Sequence, residues 1–107
     1  MKKALKNVVF RGYNCIVRLR QYPNGRHALE LVEQGTGQPV AVASVNLPDA
    51  PMADEEVAIK NWSENEGILK VLVEAGIVSE PVRLMPTGYV YAHICKLNQE
   101  IFPSLRT

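Results

Sequence analysis

Two histidines and two cysteines are the side chains best suited to chemistry in this 107-residue chain, and two of the four sit together at His93-Ile94-Cys95. Alternate residues of a strand share a face, so His93 and Cys95 could join His27 and Cys15 as zinc ligands, or pair as an imidazole and a thiol nucleophile. The spacing argues otherwise. All four are scattered without a Cys-x-x-Cys or His-x3-His pattern, and Cys95 lies in an apolar strand, where a buried structural thiol is the ordinary outcome. Glu55 and Glu56 are adjacent and would point apart on a strand, which is wrong for an acid/base pair. Gly35-Thr36-Gly37 leads into Gln-Pro and a strand rather than the helix a phosphate loop requires. The expectation is a protein that is not an enzyme, with no catalytic residue, metal or cofactor.

Charge is the stronger signal. Residues 1–26 hold Lys2, Lys3, Lys6, Arg11, Arg18, Arg20 and Arg26 and no acid, whereas residues 27–107 hold five bases against eleven acids. The net +1 therefore hides a dipolar chain that could steer a charged partner onto one face. Two surfaces are candidates for a protein partner: the hairpin bearing Arg20, Tyr22 and Arg26, and the acidic loop Asp54-Glu55-Glu56. The alternative is direct nucleic-acid binding, with Lys2, Lys3, Lys6, Arg11, Arg20 and Arg26 on phosphates and Tyr13 or Tyr22 stacking on bases. The near-neutral total opposes that alternative, and the pairing proposed below sets Arg18 opposite Glu30.

These groups must be positioned by a single domain, residues 1–107, with 47% hydrophobic and 21% charged residues. No apolar run approaches the roughly 20 residues of a spanning helix. Asn7 and Arg11 interrupt the segment behind the lysine-rich start, so neither a signal peptide nor a membrane location is expected, and the protein reads as cytoplasmic. Cys15 and Cys95 are expected as buried thiols rather than a disulfide.

The first half reads as strands. Val8–Phe10 and Asn14–Tyr22 are apolar or alternating, with Gly12 marking a turn or bulge between them. Pro23-Asn24-Gly25 fits a three-residue loop with a bulge at the glycine, pairing Leu19 with Leu29, Val17 with Leu31, Arg18 with Glu30 and Arg20 with Ala28. A type II′ turn at Gly35 would set Leu31 against Val40 and Leu29 against Val42. Val40 and Val42 then face the core. Ala28, Ala41, Ala43 and Val45 form a small reverse face, open to a homodimer partner or covered by Ile101 and Phe102.

Pro48 and Pro51 mark a loop, and Val57–Lys60 a short strand. Ser63 and Glu66 form a capping box for a helix over about 64–75, whose apolar face spans roughly 200°. Glu66, Lys70 and Glu74 can pair on its outer side, and Gly76 ends it. Trp62 takes the hydrophobic-staple position toward Gly67 and Ile68, with an exposed binding anchor as the alternative. Ile77–Val78, Val82–Met85 and Tyr89–Leu97 complete the strands, with Pro86-Thr87-Gly88 turning the chain and Tyr89 and Tyr91 sharing a face as core residues or binding anchors. The fold class is α+β: an antiparallel sheet of about six strands built from hairpins, with one capped helix packed on a face.

The stretch Asn61-Trp62-Ser63-Glu64-Asn65-Glu66-Gly67, running into Val73-Glu74-Ala75-Gly76-Ile77-Val78, resembles a family of small bacterial proteins carried on plasmids, phages and other mobile elements. The two hairpins and Pro86-Thr87-Gly88-Tyr89-Val90 resemble it too. No catalytic residue is defined for that family. The resemblance implies an accessory or inhibitor protein of a mobile element, acting through protein–protein contacts.

Overall fold

The Pro23-Asn24-Gly25 loop does what its residue types dictate. Tyr22 N–H donates to the Arg26 carbonyl and Gly25 N–H to the Tyr22 carbonyl, both at 2.8 Å, with Gly25 at φ 88°. The Asn24 carboxamide oxygen accepts from the Arg26 N–H at 3.2 Å. The computed structural model describes residues 7–106. In it this loop joins β2 (Tyr13–Gln21) to β3 (His27–Glu33) in the bulged register, with Val17 opposite Leu31 and Leu19 opposite Leu29. β1 (Asn7–Phe10) pairs with β2 through a turn at Arg11-Gly12, whose φ angles are 53° and 81°.

The second hairpin departs from expectation. Its loop is Gln34–Gly37, closed by Glu33 N–H to the Gln38 carbonyl and Gly37 N–H to the Glu33 carbonyl, both 2.8 Å. β4 (Pro39–Val42) then pairs Val32 with Pro39 but Leu31 with Ala41, so Val40 is the extra residue of a bulge. That single residue reverses the faces beyond it: Ala43 is fully buried against the core, while Val42 is 52% exposed.

In place of the expected single sheet of about six strands, the described residues form seven strands in two antiparallel sheets. The first runs β1-β2-β3-β4. The second, β5-β7-β6, comprises β5 (Glu56–Ile59), β6 (Arg83–Thr87) and the central β7 (Val90–Lys96). The chain after β4 links them: Ser44 bridges Ile59, and Lys60 N–H donates to the Ala43 carbonyl at 2.8 Å. The Pro48–Pro51 loop, short of donors, separates the two ladders.

The helix, α1 (Ile68–Glu74), is shorter than predicted and is not started by the capping box. Ser63 opens a 3-10 turn, Ser63–Asn65, at φ 58°, and Gly67 precedes the helix at φ 92°. The orphan N–H groups of Gly67 and Leu69 go instead to the Asn61 side-chain oxygen, at 3.1 and 3.0 Å. Gly76 ends the helix as predicted, with its N–H on the Val73 carbonyl and that of Ile77 on the Leu72 carbonyl, a Schellman pattern. The Glu66–Lys70–Glu74 pairs are replaced by Lys60–Glu64 at 2.7 Å.

Ile68 and Leu72 anchor the helix in the main core, in one cluster with Leu29 and Leu31 of the first sheet and Val57, Ile59 and Cys95 of the second. Ile101 and Phe102 join that core instead of covering the reverse face of the first sheet. Across the second sheet, Ala58, Ala92 and Ile94 form a smaller cluster, where Trp62 packs with Met52 and Met85. Trp62 is structural, but it serves this cluster and not the helix start.

Candidate docking surface

The two surfaces singled out from charge meet in space, and most of their side chains are already engaged. Arg20 Nε lies 3.5 Å from Glu30, taking the partner expected for Arg18. Tyr22 Oη and Ser44 Oγ share a hydrogen bond of 2.9 Å, and Ser44 Oγ also accepts from the Leu29 N–H. Arg26 donates to the carbonyls of Ala50 at 2.6 Å and Pro48 at 3.4 Å, clamping the proline loop. Glu56 is 7% exposed and paired with Arg83. Only Asp54 and Glu55 keep uncommitted carboxylates, while their main-chain carbonyls bond His27 Nε2 and Leu97 N–H. The cleft between the two surfaces, about 410 Å³ and lined by Arg26, His27, Asp54 and Glu56, is thus a polar seam.

The basic segment is split as well. Arg11 is exposed, its guanidinium 5.4 Å from the Phe10 ring centre, whereas Lys2, Lys3 and Lys6 lie outside the described residues. Among the described residues, no group of three or more His, Cys, Asp or Glu side chains is arranged to hold a metal. Both cysteines are free and buried. Burial pushes the Cys95 thiol up to about 12, and it raises Cys15 too. Such thiols are poor nucleophiles.

What remains open is apolar. Gly88, at φ 65°, and Tyr89 form a two-residue turn that closes β6 onto β7 with Thr87 opposite Val90. That register sets Leu84 beside His93 and Pro86 beside Tyr91. By strand alternation these four share the face that carries Cys95 and Ile59 into the main core. Ile68 and Leu72 share the cluster that buries Ile59 and Cys95, whereas Leu84 on β6 stays exposed. Leu84 is 53% and Tyr91 56% exposed, Val82 is similarly open, and Tyr89 projects fully into solvent at the turn.

β6 is an edge strand, and Pro86 lies within it, where a missing N–H is tolerated. Beside this face runs a groove of about 380 Å³ along the helix flank, lined by Leu69 and Val73 with Asn61 and Gly67 at one end and Glu74 and Glu80 at the other. His93 sits where core gives way to exposed patch. Its Nδ1 is buried without a hydrogen-bond partner.

Of the two roles the sequence leaves open for Tyr89 and Tyr91, a core position is excluded by their exposure. Val82 and Leu84 lie in a predicted strand, and Leu69 and Val73 on the predicted apolar helix face. The signal for the first two was available: Val82, Leu84 and Pro86 alternate onto the side of the tyrosines once the Gly88 turn fixes the hairpin. No family model matches the chain, and neither a curated protein nor a solved structure matches it.

Proposed function

We propose that this protein is not an enzyme and acts by binding another protein, and that it docks through the β6–β7 hairpin face. The observation that carries the reading is the clustering of Val82, Leu84, Tyr89 and Tyr91, large apolar side chains left in solvent on one hairpin of a small domain. Scattered apolar residues need no explanation, and Val9 and Val42, on the two outer strands of the first sheet, are of that kind. Four on one hairpin do. Tyrosines beside a leucine are also the side chains that supply much of the energy of protein interfaces.

The charged candidates support this reading less. Arg20, Tyr22, Arg26 and Glu56 have work inside the fold, and nine bases against eleven acids between residues 7 and 106 disfavour a nucleic-acid surface there. An accessory or inhibitor role on a mobile element, implied by the sequence resemblance, agrees with a domain whose whole activity is docking.

The test is affinity capture from host lysate with and without nuclease, repeated with Leu84→Glu and Tyr91→Ser. A partner that survives nuclease and disappears with either substitution supports the reading. One that vanishes with nuclease, or is retained by both variants, overturns it.

A further inference from the structure

We infer that the occupant of this face is a short apolar segment flanked by lysine or arginine, seated along the flank of α1 that Leu69 and Val73 line. The inference rests on the docking reading above and specifies the partner's chemistry.

Two features select it. The helix flank is apolar: Leu69 and Val73 line the groove and are partly buried, and Val82 and Leu84, two and four residues beyond the lining Glu80, stand exposed. One end is acidic. Glu74 and Glu80 line it and make no ion pair among the described residues, while Lys70, also on the lining, is the only cation there. A cationic flank arriving at that end gains attraction, and an acidic one meets repulsion. A second copy of this chain fits less well, because the base between its exposed Val82 and Leu84, Arg83, is already paired with Glu56.

A phage-displayed random 12-residue peptide library selected against the intact protein reads out the preferred chemistry directly. The expected consensus has two or more large apolar residues with a neighbouring Lys or Arg. A synthetic consensus peptide should bind at least about tenfold more weakly to Leu84→Glu and to Val73→Glu. It should bind about tenfold more weakly to the double charge reversal Glu74→Lys/Glu80→Lys, with that difference shrinking at high salt. All variants are checked for an unchanged melting temperature, and Leu84→Ser replaces any that fails to fold.

If the selected peptides carry acidic or uncharged flanks but still need Leu84, this inference fails while the docking reading stands. If nothing is enriched, or binding is indifferent to Leu84 and Tyr91, both fail. Concentration-dependent dimerisation abolished by Leu84→Glu, seen by sedimentation, would give the face to a second copy and overturn the inference.

Discussion

Arg83 holds Glu56 with both ends of its guanidinium, Nη2 lying 2.8 Å from Oε1 and Nη1 3.0 Å from Oε2. The two residues stand on β6 and β5, so the pair reaches across β7 and ties the outer strands of the second sheet together. It also pins the loop before β5, because Arg83 donates to the Pro51 carbonyl at 2.7 Å and Glu56 accepts from the Ala53 N–H at 2.9 Å. Of the three acids offered for docking, Glu56 is spent on structure.

Glu56→Gln should therefore destabilise the fold by about 2 kcal/mol, less than for a fully buried pair because the Arg83 side chain is partly exposed. The hydrogen bond from Arg83 holds the Glu56 carboxyl below its ordinary 4.5. A folded-state value below the unfolded one gives stabilisation that is complete above about pH 4.5 and lost as pH falls through the folded value. Urea unfolding from pH 7 to pH 3 should show the gap between wild type and variant closing with acid. A gap independent of pH would refute the assignment.

Asn61→Ala should cost about 1–2 kcal/mol by removing the acceptor for two N–H groups at the helix start. Ser63→Ala should cost under about 0.5 kcal/mol, since Ser63 does not cap α1. Chemical denaturation of the two variants distinguishes this arrangement from a Ser63–Glu66 capping box, which predicts the reverse order.

Arg26 and Arg20 look equivalent in the sequence and should behave differently. Arg26→Ala removes the clamp on the Ala50 and Pro48 carbonyls and should cost about 1–2 kcal/mol. Arg20→Ala loses one exposed contact at 3.5 Å and should cost under about 0.5 kcal/mol. Thermal melts of both variants are the measurement.

Both cysteines should resist thiol reagents in the native state at pH 8 and react at once in denaturant. Cys95, held up to about 12, should be labelled only at the rate at which the native state opens. Rapid stoichiometric labelling of the folded protein would contradict the packing of the main core.

The parts of the fold that were legible rest on residues with one conformational solution. Pro23-Asn24-Gly25 admits a single good loop, and the whole β2–β3 register follows from it. Gly35-Thr36-Gly37 admits two, because glycine at both positions suits the tight turn and the longer loop alike, and hydrophobic alternation could not detect the bulge at Val40. Ala43→Leu should therefore overpack the core and cost about 1–3 kcal/mol, while Val42→Thr stays within about 0.5 kcal/mol, the opposite of the alternating reading. The helix face and its Gly76 end were local and readable. Its beginning was not, because Asn61 caps it from across a 3-10 turn that no i, i+3 rule encodes. The exposed face of the β6–β7 hairpin was half legible for a similar reason. Tyr89 and Tyr91 announce themselves, but whether Leu84 is buried depends on where the helix stops covering the sheet.

β7 is enclosed on both sides, with Cys95 turned into the main core and Ala92 and Ile94 into the second cluster, all fully buried. Its amides reach solvent only when both layers give way, so β7 should carry the slowest hydrogen exchange in the chain. Tyr91 and His93 ride on that same strand. A partner docking at the hairpin as proposed would meet a surface shaped before contact, and the lifetime of such a complex would be set by how well the incoming segment fills it rather than by any refolding of this protein.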